Sequence, residues 1–265
     1  VLMTVYINDL YDNFIDAFES INSQTIPPDK IIIVSDGPIC YKIKIFLERE
    51  KISNKKLIFL ELNENIGLGK ALAHGLEHVD TDLVMRMDSD DVCLLNRADI
   101  LLQAMFREKV SVVGSYILEF VESINEKGNL IKYSSYPTTE NIFNYTRDPV
   151  GHASVMFRKK DVDDAGGYLH CMSFEDTYLW VRMAKMGFQF HNVSDPLYYA
   201  RTDQYFYERR GGLSYLKIEI LSFLRFYNEG LISYKSFFIN ILIRPFIRIL
   251  PKKILSFVYK KLLRN

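Results

Sequence analysis

LVMRMDSDD, residues 83–91, is an apolar run that breaks without a spacer into a burst of carboxylates. Leu83 to Met87 reads as a buried strand, and Asp88, Ser89, Asp90 and Asp91 stand directly at its carboxyl end. In open α/β sheets that end is where ligand sites gather. Upstream, short β-branched runs alternate with helical patterns: Val1 to Ile7, an amphipathic stretch through Ser20, Ile31 to Ser35, Leu57 to Leu62, and a helical pattern over Asn65 to Val79. This order predicts βαβ units on a largely parallel sheet, flanked by helices and Rossmann-like. The first helix is expected to stop by Thr25-Ile26-Pro27-Pro28, because proline lacks a donor and pushes its predecessor out of the helical region. Ser35-Asp36-Gly37 closes a second strand, so Asp36 and the Asp88 cluster are expected to face one crevice.

Downstream the pattern is mixed. A helix is predicted around Asn96 to Arg107 and strands over Ser111 to Phe120, Asn129 to Ser134 and Ala153 to Arg158. A helix over Glu175 to Met186 follows, then two short strands, Gln189 to Val193 and Tyr198 to Arg201, and a helix over Gly212 to Asn228. No internal repeat or low-complexity linker divides the 265 residues, which suit one domain of two joined halves. The halves are expected at about 1–95 and about 96–215. Residues 216–265 form a helical, basic and aromatic extension.

Formal net charge is zero, with 33 basic and 33 acidic residues, yet eight Lys or Arg and no acid follow Glu229. The body is therefore acidic, which argues against nucleic acid as the main partner. Cys40, Cys93 and Cys171 are scattered and lack CxxC spacing, so neither a disulfide framework nor a zinc ribbon is indicated. The start carries no positively charged segment, long apolar core and cleavage site of a secretory signal; it opens inside an apolar run, so part of a first strand is expected to precede Val1.

Three carboxylates within four positions repel one another and call for a counter-charge. Mg²⁺ or Mn²⁺, with its preference for oxygen, answers that need and can bridge a substrate diphosphate. A solvated acidic loop capping the next helix would use the same residues. NIGLGKA, residues 65–71, places glycines before Lys70 but is no phosphate loop: Glu64 and Ala71 stand where that motif requires Gly and Ser or Thr. What remains is a glycine-relaxed helix start whose amides and Lys70 lie near an anionic ligand, or a plain loop-to-helix junction. His74 and His78 are spaced i, i+4 without the acid of HExxH, and read as ordinary histidines. Glu175 and Asp176 open a helix, where acids also favour capping and the macrodipole; the functional alternative is a general base for an attacking hydroxyl.

The ordered set VLMTVY (1–6), ESINSQTIPPDKIIIVSDGP (19–38), NENIGLGKALAHG (63–75), MRMDSDD (85–91), GHASVMFRKKDVDDAGGY (151–168) and FEDTYLWVRMAKMG (174–187) resembles family 2 glycosyltransferases. The likeness is greatest to bacterial enzymes of exopolysaccharide (amylovoran-type) and O-antigen assembly, and it covers about residues 1–215. It implies a GT-A fold and inverting transfer of a sugar from a nucleoside diphosphate sugar, by family habit a UDP-sugar, to an acceptor hydroxyl on a glycan or lipid-linked glycan. By position, Asp36 matches the acid that reads the base, with Tyr6 beside it. Gly67, Lys70, Arg86 and Asp88 fall on the donor side, and Asp90 with Asp88 matches the metal-binding DxD pair for Mn²⁺ or Mg²⁺. Asp176 matches the general base, with Glu175 preceding it. His152 stands where relatives often carry a histidine facing the site and is expected beside Asp90 and Asp88 among the metal residues, and Arg209 and Arg210 would belong to a loop over the diphosphate. The QxxRW motif of processive synthases is absent, so one sugar per encounter is expected.

Two other classes compete. A sugar-1-phosphate nucleotidyltransferase would need a Gly-rich, basic triphosphate loop after the first strand, where Ile7-Asn8-Asp9-Leu10 stands instead. A non-catalytic carbohydrate-binding protein would have no use for Asp88, Asp90 and Asp176 together. The tail from Leu231 mixes Phe237, Phe238, Ile241, Leu242, Phe246, Ile247, Ile249 and Leu250 with Arg244, Arg248, Lys252 and Lys253. Its longest uncharged run, residues 236–243, is far below the ~20 residues that span a bilayer. Unopposed cations among apolar side chains predict peripheral contact with an anionic membrane, on the cytoplasmic face of a bacterial inner membrane. Core packing is the other reading, and Pro245 and Pro251 are expected to interrupt any long helix there.

Overall fold

The computed structural model describes residues 1–121, 128–145, 147–202 and 212–248. Arg209, Arg210, Lys252 and Lys253 lie outside them. Strands β1 (Leu2–Val5), β2 (Ile31–Ser35), β3 (Leu57–Glu61), β4 (Leu83–Asp88), β5 (Val92–Cys93), β6 (Val112–Phe120), β7 (Leu130–Ile131), β8 (Met156–Arg158) and β9 (Phe190–Arg201) join in one sheet. Its order is β3-β2-β1-β4-β8-β6-β9-β5, with β7 on β6. The β3-β2-β1-β4 half is wholly parallel, β8 reverses direction against β4, and β6 and β9 run parallel to each other. The predicted mixed α/β architecture is thus present.

β2 is five residues, IIIVS, all buried, as a strand covered on both faces requires. Helices α1 (Tyr11–Asn22) and α2 (Tyr41–Ser53) cover one face; α1 buries Phe14, Ala17, Phe18 and Ile21, a helical stripe. Helices α3 (Leu68–Glu77) and α7 (Glu175–Lys185) cover the other. Gly75 lets α3 lie close, since a Cβ there would stand 2.5 Å from Leu2 Cδ1 and 2.8 Å from Val34 Cγ2. α7 is buried nearly all round and centres on Trp180, which is fully inaccessible. Helix α4 (Arg97–Glu108) packs a third cluster, around Leu101, Met105 and Val113.

Several expectations need correction. α2 went unread because only Ile43 and Leu47 are buried along its thirteen residues, too sparse a stripe to register as a period. The two short strands expected after Gln189 are one, β9: its register against β6 slips between Ser115 and Ile117, so Ser194 and Asp195 interrupt the alternation without ending the strand. β5 and the short helices α5 (Thr139–Phe143) and α6 (Lys159–Asp164) also lacked a readable signal. The strand expected from Ala153 begins only at Met156, after a 3₁₀ turn over His152–Ser154.

The C-terminal segment differs most. α8 (Leu213–Asn228) and α9 (Tyr234–Arg248) form a hairpin against α7, and Phe223, Phe226, Leu231 and Ile232 enter the core shared with Trp180. Pro245 lies inside α9 rather than ending it. Arg244 and Arg248 are not unopposed: both reach Glu219 on α8, Arg244 Nη1 at 2.7 Å and Arg248 Nε at 2.8 Å. No described helix is long and apolar enough to cross a membrane.

Candidate active site

β4 runs through the sheet interior and releases Asp88 beside the end of β1, in register with Thr4. Arg86, 1% exposed, points up from β4 and forms an ion pair with Asp88. Arg97 Nη2 holds the carbonyls of Arg86 and Ala153 at 2.7 and 3.1 Å, fixing the strand end beneath the acids. Beyond Asp88 the loop is tied to β9. Tyr198 Oη accepts from Asp88 N–H at 3.1 Å and donates to Asp91 Oδ2 at 2.7 Å. Arg201 N–H donates to Asp91 Oδ1 at 2.7 Å, and Arg201 Nε to the Asp90 carbonyl at 2.9 Å. The three aspartates are therefore held in unlike ways: the Asp91 side chain is committed to β9 and that of Asp88 to Arg86, while Asp90 is held through its carbonyl by Arg201.

Burial, with the charges of Asp88 and Asp9, pushes the Asp90 carboxyl up to about 7; burial, with the charges of Asp88 and Asp90, raises Asp91 well above its usual range. Crowded carboxylates in a low-dielectric cleft favour the charged form only when a cation joins them. The donor set is all oxygen, fitting Mg²⁺ or Mn²⁺ held by one or two carboxylates with substrate phosphate completing the shell. Among the described residues no three His, Cys, Asp or Glu side chains are grouped so as to hold a metal ion, so His152 is not brought to Asp88 and Asp90 as a third ligand.

Asp88, Asp90 and Asp91 share a cleft of about 590 Å³ with Arg86, His152, Glu175 and Asp176. Asp176 arrives from the first turn of α7, after Ser173 in the left-handed region at φ 61°. Its Oδ1 accepts from Thr177 N–H at 2.7 Å, while Thr177 Oγ1 donates to Asp148 at 2.7 Å. Burial, then the charges of Asp148 and Glu175, push Asp176 up to about 8, and burial raises Glu175 too. A carboxylate of such affinity for protons is suited to take one from a hydroxyl near neutral pH. His152 Nε2 lies 2.8 Å from Tyr168 Oη, and burial beside Arg86 keeps the imidazole neutral.

Tyr6, Asp36, Gly67 and Lys70 stand outside the lining of that cleft, at the neighbouring ends of β1, β2 and α3. Asp36 gives both oxygens to the next loop, accepting from Ile66 N–H at 2.7 Å and Gly67 N–H at 3.1 Å. It therefore pins the glycine turn, Gly67 having φ 90°, whatever else it touches. Lys70 is exposed on the first turn of α3. His74 and His78 meet edge to face with ring centroids 4.9 Å apart, and His78 Nδ1 lies 3.0 Å from the His74 carbonyl, an ordinary helix-surface pair.

The sequence reading missed much of the site. Asp9 is 8% exposed and joins the β1 loop to the acidic loop through Ser89 Oγ at 2.7 Å and Tyr6 N–H at 2.9 Å. Arg147 and Asp148 come from an aperiodic loop, Tyr198 and Arg201 from the far half of β9, and Arg244 and Arg248 from α9; all but Asp9 line the cleft. The strand signal over Tyr198 to Arg201 placed both residues in a strand but carried nothing to bring them to Asp91.

The profile of the family described as Glycosyl transferase family 2 matches residues 1–165. The chain is 34% identical over 269 residues to an Escherichia coli UDP-Gal:alpha-D-GlcNAc-diphosphoundecaprenol beta-1,3-galactosyltransferase, covering 100% of this chain and 96% of that one. It is 32% identical over 265 residues to the amylovoran biosynthesis glycosyltransferase AmsE of Erwinia amylovora, covering 98% and 97%. In fold it superposes on the 1–349 fragment of S. aureus TarS in complex with UDP-GlcNAc, with TM-score 0.64, 19% identity and coverage of 86% of this chain and 66% of that one. The mannosyltransferase PcManGT of Pyrobaculum calidifontis, in complex with GDP-Man and Mn²⁺, superposes with TM-score 0.67 at 14% identity over 92% of this chain and 70% of its own. The fold is GT-A, and the chain belongs to glycosyl transferase family 2.

Proposed function

We propose that this glycosyltransferase moves a sugar, with inversion, from a UDP-sugar to a hydroxyl of a lipid-diphosphate-linked sugar during bacterial surface polysaccharide synthesis. One observation carries the reading: the Asp88/Asp90 strand end and the proton-accepting Asp176 open on the same cleft. The E. coli relative supports the donor and acceptor class, since its name gives UDP-Gal and a sugar-diphospholipid.

Asp90, with Asp88, would hold Mn²⁺ or Mg²⁺, which when bound offsets the charge of the leaving diphosphate. Asp36 sits two strands from Asp88, about 10 Å at sheet spacing, with Tyr6 at the end of the strand between them, a span that suits a nucleoside reaching from the glycine turn to the acids. Gly67 and Lys70 flank that path; Arg209 and Arg210, outside the described residues, are proposed to meet the diphosphate on the family resemblance alone. In the chemical step Asp176 takes the proton of the acceptor hydroxyl as its oxygen bonds to the anomeric carbon. The bond from that carbon to the diphosphate oxygen breaks, and its electron pair leaves with the diphosphate. No covalent enzyme intermediate is needed. Glu175 sustains the basicity of Asp176 through its charge, and His152 stays a neutral wall of the cleft.

The body at 1–215 does the chemistry. Tyr234, Phe238, Leu242 and Ile243 are exposed on α9, and Leu213, Leu221 and Leu224 on α8, an apolar outer surface suited to peripheral contact at the inner face of a bacterial membrane.

Incubation with a panel of UDP-, GDP- and dTDP-sugars and Mn²⁺, read by thermal shift and by nucleotide release, tests the reading. A selective rise in melting temperature with one UDP-sugar, abolished by EDTA, is expected. Pyrophosphate release from UTP and a sugar phosphate would instead make this a nucleotidyltransferase.

A further inference from the structure

Two arginines of α9 face the catalytic cleft, and the nucleotide half of the site gives them no task. Arg248 grips Glu219 as a fork, Nε to Oε2 and Nη2 to Oε1, both at 2.8 Å. Arg244 shares the same carboxylate at 2.7 Å, is braced by Asn240 Oδ1 at 2.5 Å, and stacks 4.9 Å from the Phe223 ring centroid and 5.7 Å from Tyr145. One buried glutamate thus orders two guanidiniums at the cleft wall. Arg147 lines the same cleft, is exposed and lies 5.0 Å over Tyr133.

Position along the cleft separates this group from the donor acids. At the donor end Arg86 pairs with Asp88 and Ser89 Oγ donates to Asp9. Beside Asp176, Thr177 Oγ1 donates to Asp148 at 2.7 Å, Tyr145 Oη donates to Asp148 at 3.3 Å, and Arg244 lies 5.7 Å from the Tyr145 ring centroid. The arginines thus join the site on the side of the general base. A hydroxyl at Asp176 with the donor on the Asp90 side leaves the rest of its own molecule on the arginine side. Guanidiniums with planar forks, stacked on aromatic faces, are the side chains best matched to phosphate oxygens.

Resting on the transfer reading above, we propose that Arg147, Arg244 and Arg248 form an anion subsite that takes the diphosphate of the acceptor, not that of the donor. The hairpin α8–α9 is then part of the acceptor site, and a neutral acceptor is a poor substrate.

The test uses the full chain in EDTA, where metal-assisted donor binding is silent. Undecyl diphosphate is titrated by calorimetry, with neutral undecyl β-glucoside as control. Wild type is expected to bind the diphosphate at least about tenfold more tightly than the glucoside, and UDP is expected not to displace it. Arg147→Gln and Arg244→Gln should each remove most of that preference, with Arg244→Lys restoring part of it. Should the interior Arg244 variant fail to fold, the exposed Arg147 variant decides alone. Equal affinity for the two probes, an unchanged preference in Arg147→Gln, or displacement by UDP overturns the proposal. UDP-GlcNAc binding with Mn²⁺, measured separately on wild type, reports on the transfer reading itself, so the two can fail independently.

Discussion

Gly69→Ala is a sensitive probe of how the fold aims its base. Gly69 lies buried in the first turn of α3, where α3 meets the start of α7. A Cβ built there would stand 2.9 Å from Glu175 Cβ and 3.2 Å from its Cγ, whereas ordinary contact begins at 3.4 Å. The two helices must part by about half an ångström. Glu175 cannot swing away alone, because its own Cβ is the clashing atom. The shift therefore passes to Asp176, the next residue on a helix buried nearly all round. Alanine gains up to ~1 kcal/mol of helix propensity over glycine, against ~1–3 kcal/mol for inserting a methyl group into a packed contact. The net expected loss is about 0–2 kcal/mol, small beside the functional effect. A 1 Å misplacement costs on the order of a hundredfold in rate, so half of that predicts about a tenfold fall in kcat with KM for the donor little changed. Steady-state kinetics with a thermal melt measure both. Undiminished kcat with a raised melting temperature would refute the idea that α3 buttresses the base.

Asp176→Asn should retain the fold and donor binding but lose transfer at least about a hundredfold; near-normal turnover would move the role to Glu175 or elsewhere. Because Asp176 must be deprotonated to act and is raised to about 8 by burial, Asp148 and Glu175, kcat is expected to fall as pH drops through that value. Asp148→Asn removes one of the repelling charges and should move this limb to lower pH, an effect seen in a kcat profile; an unmoved limb would separate the two carboxyls. Asp90→Asn should abolish Mn²⁺-dependent tightening of UDP-sugar binding, and unchanged affinity in calorimetry would unseat the metal assignment. Phe238→Ser with Leu242→Ser, both exposed on α9, should weaken cosedimentation with anionic liposomes while leaving transfer to a soluble acceptor intact; equal partitioning would deny the membrane contact.

What could be read from the sequence was what is written locally. LVMRMDSDD, residues 83–91, announced a buried strand ending in acids because six consecutive strand residues and their carboxylates are neighbours along the chain. Asp176 could be placed at a helix start for the same reason, as could the Ser35-Asp36-Gly37 strand end. What the sequence hid is chemistry assembled across distance. Tyr198 and Arg201 meet Asp91 from more than a hundred residues away, and α9 meets Glu219 across 25 and 29 residues. Neither separation leaves a periodic trace.

The tail shows how such long-range pairing changes a functional argument. Counted along the chain, Arg244 and Arg248 are surplus cations in a segment without acids, and surplus cations among apolar residues imply a membrane surface. Folded, they turn inward to a carboxylate on the neighbouring helix, and the apolar side chains divide. Phe237 packs against the core cluster, while Phe238 and Leu242 remain outside. The two arginines thus turn inward while Phe238 and Leu242 stay outside, so the two uses that the sequence ran together become separable: arginines toward the acceptor cleft, exposed apolar residues toward whatever surface holds the acceptor's lipid. A variant on one face need not disturb the other. This is why the Arg147 and Arg244 substitutions should alter discrimination for diphosphate without altering liposome binding, whereas the Phe238 and Leu242 pair should do the reverse. Loss of both properties in either set would mean that α9 acts as a single structural unit, and the division of labour would fail.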